Sequence, residues 1–258
     1  MDLFRGHAGI GEGHYGTTST TQGGKDTLRA MGQQAEEALR LHVRQQAAVA
    51  AFGQEALRNT DLTALMQEAC AMLARLLHVD YCKVSELLPD GNRLLLRAGV
   101  GWKDGYVGRC MIELGSQSHS GYTLLSQTPV IVADLSHDPR FNAPLLCEHG
   151  VVSGLSVIIH GPDRPFGVLG VHTTKARLFI LDDIHFLQAV ANILGEVLIR
   201  QRTEAALRDS EAQYRLLFEA NPHPMWVFDR ETLRFPTINN AVVTHFGYSR
   251  EEFLAMTA

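Results

Sequence analysis

VVSGLSVIIHGPDRPFGVLGVHTT, residues 151–174, decides the fold. Its flanks, VVSGLSVIIH (151–160) and PFGVLGVHTT (165–174), are rich in β-branched and apolar residues, and the intervening GPDR carries turn chemistry. The pair reads as an antiparallel hairpin. Neither flank alternates apolar with polar residues, so both read as central strands covered on two faces.

Working outward, a second hairpin precedes this one: DYCKVSELL (80–88) and RLLLRAGVG (93–101) are β-prone runs separated by the turn signal PDGN. Before it lies a helix that Thr60 can cap, with Leu62, Leu65, Met66, Ala69, Leu73, Leu76 and Leu77 on one apolar face. After residue 174, Asp182 opens a long helix in which Ile184, Leu187, Ala191, Leu194 and Leu198 recur at intervals of three and four, the pattern of a coiled-coil seam. Beyond Leu198 the register shifts to Leu207, Tyr214 and Leu217, a break that changes supercoil winding. Between the hairpins, residues 102–151 hold only a short helical piece near SHSGYTLLSQ and a β-prone PVIVADL. So long an irregular stretch inside a compact domain reads as a functional wall or lid.

The remaining segments are simpler. Residues 1–25 are rich in Gly, Thr and Ser without apolar periodicity and read as a disordered N-terminus. Residues 26–57 turn to Ala, Gln, Glu, Leu and Arg and predict a helix, either a solvated linker or one paired with a second chain. The 258 residues are 45% hydrophobic and 20% charged, with a formal net charge of -5 and no basic cluster, which argues against a nucleic-acid partner. No apolar run is long enough to span a membrane and no secretory signal opens the chain, so a cytoplasmic protein is expected, without a membrane partner. Cys70, Cys82, Cys110 and Cys147 form no CxxC pair, so neither structural zinc nor a disulfide framework is expected, and no metal ligand set is assigned.

Helix, hairpin, long mixed loop, hairpin, helix is the element order of a GAF domain, and residues 58–200 resemble that family. The most specific stretch, 140–193, begins RFNAPLLCEHG and runs through the central hairpin to the helix. It is similar to GAF domains of bacterial sensor histidine kinases and cyclic-dinucleotide signalling proteins. The resemblance implies an α+β fold: an antiparallel sheet flanked by helices on both faces, with long N- and C-terminal signalling helices and a ligand pocket between sheet and loop. Residues 210–258, SEAQYRLLFEANPHPMWVFDRETLRF and then INNAVVTHFGYSREEFLAM, resemble the start of a PAS domain. The organisation expected is therefore 1–25 disordered, 26–57 N-terminal helix, 58–200 GAF domain, 201–220 connecting helix and 221–258 incomplete PAS domain.

GAF domains divide by what they hold. The cyclic-nucleotide class carries Asn-Lys, Phe and Asp-Glu where this chain has Thr174, Lys175, Phe179, Asp183 and Ile184. The resemblance implies a structural ion pair between Lys175 and Asp183, while Thr174 and Ile184 argue against nucleotide binding. Covalent bilin is not expected, because Ala133, Asp134, Ser136 and His137 stand where the attachment cysteine falls. Haem needs an axial ligand facing an apolar pocket, and His149 beside Gly150 reads as a surface or capping residue instead, so no cofactor is assigned. A free methionine-R-sulfoxide reductase would use Cys147 and Cys110, which match two of that family's cysteines; Ser120 replaces the third and Gly154 an acidic residue.

What remains is a noncovalent small-molecule site, its lining expected from Ser85, Tyr122, Asp134, Phe141, Leu145, Ser156 and His172. The functional expectation is a noncatalytic sensor in a bacterial two-component-like signalling protein, homodimeric through its terminal helices, responding to an unidentified small molecule. A thiol enzyme and a purely structural dimerisation module are the alternatives. No kinase signature, no GGDEF-type or EAL-type run and no phospho-acceptor His box is present, so an output activity is expected only in a longer parent.

Overall fold

A computed structural model describes residues 20–59, 61–115 and 117–258. The described residues divide into two units, one up to Ala51 and one from Phe52 onward. Helix α1 (Thr20–Arg58) makes up the described part of the first unit and enters the second at Phe52. It starts six residues before the expected boundary at 26, because each residue added to an existing helix gains a hydrogen bond without a new nucleus. The rest of the segment read as disordered, residues 1–19, lies outside the described residues.

In the second unit α2 (Leu62–Leu77) is capped by Asp61, whose Oδ1 accepts from the amides of Thr63 and Ala64 at 2.9 and 3.1 Å. Thr60, the cap expected from sequence, lies outside the described residues. The strands β1 (Tyr81–Leu87), β2 (Arg93–Val100), β3 (Met111–Glu113), β4 (Val130–Val132), β5 (Ser153–Ile159) and β6 (Gly167–Thr173) form one antiparallel sheet in the order β3-β2-β1-β6-β5-β4. Both expected hairpins are present, and every residue of β5 and β6 is buried. The long stretch after Trp102 supplies α3 (His119–Ser126) and α4 (Pro144–Glu148) as well as the edge strands β3 and β4.

The two faces of this sheet differ. On one, Cys82, Val84, Leu155, Val157, Ile159, Leu169 and Val171 alternate with their neighbours and are covered by α2 and by α5 (Leu181–Glu219). On the other, Lys83, Ser85, Gly154, Ser156, Gly170 and His172 face α3 and the loop. The helix α5 is 39 residues long, so the last GAF-type helix and the expected connecting helix are one continuous element. Its first half is not a coiled-coil seam. Phe186, Leu187, Val190, Ala191, Leu194 and Gly195 are buried against the domain's own sheet and α2, and that doublet stripe is wider than the two positions per heptad of a coiled coil. Gly195 permits the approach, since a Cβ there would stand 2.8 Å from the His160 carbonyl oxygen. Apolar residues free for a second helix begin later, at Leu207, Tyr214 and Leu217, which are 60 to 73% exposed.

The C-terminal part carries the two-stranded pair β7 (Trp226–Val227) and β8 (Thr237–Ile238), followed by α6 (Asn240–Phe246) and α7 (Arg250–Leu254). Asn239 pins it to the end of α5: its buried amide donates to the carbonyls of Phe218, Asn221 and His223. Met225, Trp226, Val227 and Phe228 remain exposed on the pair, the uncovered apolar face that so small a sheet leaves.

One expected contact is replaced. Asp183, only 5% exposed, pairs with Arg177 at 3.1 Å and accepts from the Ile180 amide, whereas Lys175 is exposed and makes no ion pair among the described residues. Arg177 also donates to the Leu77 carbonyl and lies 4.7 Å over the Phe179 ring. The guanidinium thus serves three groups that a single ammonium could not, and it joins the end of α2 to the start of α5. Arg177→Ala is expected to lose about 1–3 kcal/mol in urea unfolding by stranding a buried carboxylate, and Lys175→Ala less than about 0.5.

Candidate functional site

The site starts from two residues of central strands. Lys83 sits in β1 opposite Gly99 of β2 and Gly170 of β6, so no neighbouring side chain crowds its stem. It is 2% exposed, and among the described residues no hydrogen bond or ion pair involves its Nζ. The Trp102 ring lies 5.7 Å away, and burial pushes the ammonium pKa down to about 8. His172 sits in β6 opposite Gly154 of β5, where a Cβ would come within 2.6 Å of its Nδ1. Neither of its ring nitrogens has a partner among the described residues.

From above, α3 brings His119, Ser120 and Thr123 down onto the same face. A closed chain of bonds orders them: Thr123 Oγ1 donates to the His119 carbonyl at 2.8 Å, and Ser156 Oγ lies 2.6 Å from Thr123 Oγ1 and 3.0 Å from His119 Nε2. Because His119 Nε2 also faces the Val130 carbonyl oxygen at 3.2 Å, that nitrogen carries the proton. Nδ1 is therefore a bare acceptor, buried and unpaired, as are the hydroxyls of Ser120 and Ser85. Burial, reinforced by the Lys83 charge, pushes His119 down to about 3 and His172 well below the ordinary imidazole value. Both rings are neutral at physiological pH.

Beside this cluster opens a cavity of about 380 Å³, of a size suited to small molecules. Lys83, His119 and Ser120 face it from the protein interior; Ile112 of β3 and Leu145 and Leu146 of α4 give it apolar walls. Of the seven residues expected to line a site, Leu145 reaches this cavity. Ser85, Ser156 and His172 lie in the buried polar cluster of the same sheet face. Tyr122 and Phe141 contact one another at 5.4 Å, with the Arg140 guanidinium over both rings. Asp134 is turned away: it accepts from Ser136 and pairs with His137 in a surface turn. Lys83 and His119 escaped notice, although a Lys two residues before Ser85 in a β-prone run must share its face, a legible signal.

The other candidates are placed as follows. His149 has both ring nitrogens engaged, with the Leu145 carbonyl at 2.8 Å and the Lys103 amide at 3.3 Å, and its ring stands among Tyr81, Trp102 and Tyr106. Cys147 is exposed, Cys110 is half-buried with its thiol pKa raised by burial, and neither lines the cavity. Among the described residues no group of three or more His, Cys, Asp or Glu is placed to hold a metal, and no helix is long and apolar enough to cross a membrane.

Two imidazoles that stay neutral in the fold but protonate when unfolded make stability depend on pH. Their folded pKa values lie below the unfolded 6.5, so the unfolded chain binds more protons as pH falls and stability drops below pH 6.5. Between pH 6 and 5, above the range of the carboxylates, each imidazole is expected to cost about 1.4 kcal/mol per pH unit. Urea unfolding across that interval measures the slope, which His172→Gln should reduce by about half.

Comparison with known proteins places this geometry. The GAF domain model matches residues 61–198, over half of the chain, and a PAS domain model matches 212–257. The GAF domain of a phosphoenolpyruvate-protein phosphotransferase from Coxiella burnetii superposes with a TM-score of 0.58 at 19% identity, covering 64% of this chain and 98% of that one. The free methionine-R-sulfoxide reductase from Neisseria meningitidis, in complex with its substrate, does so at 0.56 and 18%, covering 63% and 93%. Both likenesses show the fold alone. In sequence, a methyl sulfide methyltransferase-associated sensor from Methanosarcina acetivorans is 25% identical over 92 residues, 36% of this chain and 9% of that protein. The chain belongs to the GAF domain family, carrying its GAF domain at 61–198 and a partial PAS domain at 212–257.

Proposed function

We propose that this chain is a noncatalytic, cytoplasmic sensor module of a two-component-like signalling protein, in which a small molecule bound beneath α3 shifts the packing of α5 in a homodimer. The observation that carries the reading is the set of buried polar groups without partners among the described residues, beside a 380 Å³ cavity. Natural cores satisfy such groups, and leaving several unsatisfied on one sheet face costs stability unless a ligand completes them.

The route to an output is short. The strands β5 and β6 carry Ser156 and His172 toward the cavity side and Leu155, Val157, Leu169 and Val171 toward the α2 and α5 side. A ligand that draws the first set together moves the bed on which α5 rests, and α5 runs without a break to Glu219, into the PAS match that begins at residue 212. Ligand binding can bias this packing only by as much as its affinity differs between the two arrangements.

A thiol reductase finds less support. It needs an activated thiolate at the substrate, and here the half-buried Cys110 thiol is raised rather than lowered, with no cysteine lining the cavity. Cys147→Ser should therefore leave behaviour toward free methionine sulfoxide unchanged.

The homodimer is assigned to the later half of α5. Leu207, Tyr214 and Leu217 follow one another at seven and three residues, the spacing of one coiled-coil seam, and all three are exposed. Native mass spectrometry of the purified chain is expected to give a dimer carrying a small molecule. The Leu207→Glu/Leu217→Glu double variant should sediment as a monomer with unchanged far-ultraviolet circular dichroism. A wild-type chain that is monomeric at all concentrations would remove the dimer from this reading.

A further inference from the structure

We infer that the molecule taken by the cavity is a small organic carboxylate, its carboxylate paired with the Lys83 ammonium and with the amino end of α3, and its body against Ile112, Leu145 and Leu146. The inference rests on the sensor reading above and narrows it to a ligand class.

Three independent features converge on an anion. Lys83 is a buried cation that lines the cavity and has no counter-charge among the described residues. A lysine in that position is costly unless something supplies a negative charge. The start of α3 forms part of the same cavity wall. Ser118 caps the helix by accepting from the Gly121 amide at 3.0 Å, which leaves the amides of His119 and Ser120 in the open first turn. These amides and the positive end of the helix dipole favour negative charge there. Ser120, 1% exposed and with its hydroxyl unpaired among the described residues, stands in the same turn and lines the same cavity.

The charge present selects among anions. One ammonium and a helix end balance a single negative charge, and among the described residues no arginine lines the cavity to complete a phosphate clamp. His119 and His172 are neutral, so they add dipoles and not charge. Glu113 stands at the cavity's edge, but its side chain is exposed and lies across the strand pair from Arg93, which offsets it. The apolar walls fit an organic body rather than a hydrated inorganic ion. The bare Nδ1 of His119 further favours a carboxylate that carries a hydroxyl or amino donor.

The test uses the full chain and four sodium salts, acetate, butyrate, lactate and inorganic phosphate, titrated at constant ionic strength and followed by thermal shift and by two-dimensional NMR. At least one carboxylate is expected to bind saturably, with shifts at residues of β1 and α3, and phosphate at least tenfold more weakly. Lys83→Met should weaken that carboxylate tenfold or more while raising the melting temperature of the ligand-free chain, since it removes an uncompensated buried charge; a structural lysine would give the opposite thermal shift. Ser120→Ala, which deletes one hydroxyl, should weaken it several-fold and serves if Lys83→Met does not fold. Absence of saturable carboxylate binding, equal binding by wild type and Lys83→Met, or tighter binding of phosphate would each overturn the assignment. A neutral or cationic molecule found bound by native mass spectrometry would overturn it while leaving the sensor reading standing. Carboxylate binding with no change in the α5 resonances would do the reverse.

Discussion

Everything in the second unit depends on one sheet being buried on two faces that have opposite chemistry. The strands β5 and β6 contribute seven buried residues each, and strand alternation sends Leu155, Val157, Ile159, Leu169 and Val171 toward α2 and α5, and Gly154, Ser156, Gly170 and His172, with Ile158 and Val168 at one end, toward α3. The apolar face supplies the burial that holds the domain together. The other face can then carry Lys83, Ser85, Ser156 and His172 in positions that a sheet with one solvated face would fill with core residues.

Space for those polar side chains comes from glycine. Gly99 and Gly170 flank Lys83, and Gly154 lies opposite His172; a Cβ at Gly99 would also stand 2.6 Å from Cδ1 of Trp102. Trp102 takes that place and donates from Nε1 to the Cys82 carbonyl at 2.8 Å, roofing the lysine stem. The glycines that lower strand propensity in RAGVG and VLGVH are therefore what lets a charged side chain sit in the middle of the sheet.

The architecture was legible because its signals are local. Two β-prone pairs around PDGN and GPDR, and the apolar face of α2, determine the hairpins and the first helix without reference to anything distant. The piece near SHSGYTLLSQ became α3, and PVIVADL holds β4. What failed was assignment that needs knowledge of a partner. The series Ile184, Leu187, Ala191, Leu194 reads the same whether it meets a second chain or the protein's own sheet, and only Phe186, Val190 and Gly195 widen it into the latter. Likewise Arg177 and Lys175 both precede Asp183 within one short stretch of chain; the turn after β6 decides between them. Within the site, alternation placed Ser85, Ser156 and His172 on one face but said nothing of which loop residues cross back over it, so Asp134 was put inside and His119 left out.

The unpaired polar groups also set how strongly a ligand can act on the fold. A buried ammonium and several unsatisfied hydrogen-bonding groups lower the stability of the ligand-free domain, and a ligand that satisfies them recovers part of that free energy as binding. In the proposed sensor, the recovered part would be available only where α3 and the sheet contact the ligand together. Under that proposal, binding would discriminate between packings of the sheet, which is the differential affinity a population shift requires. A cavity filled by apolar side chains would have given a more stable domain with nothing to respond to. In the proposed sensor, the instability of the polar face would couple occupancy to α5, which packs on the apolar face behind it.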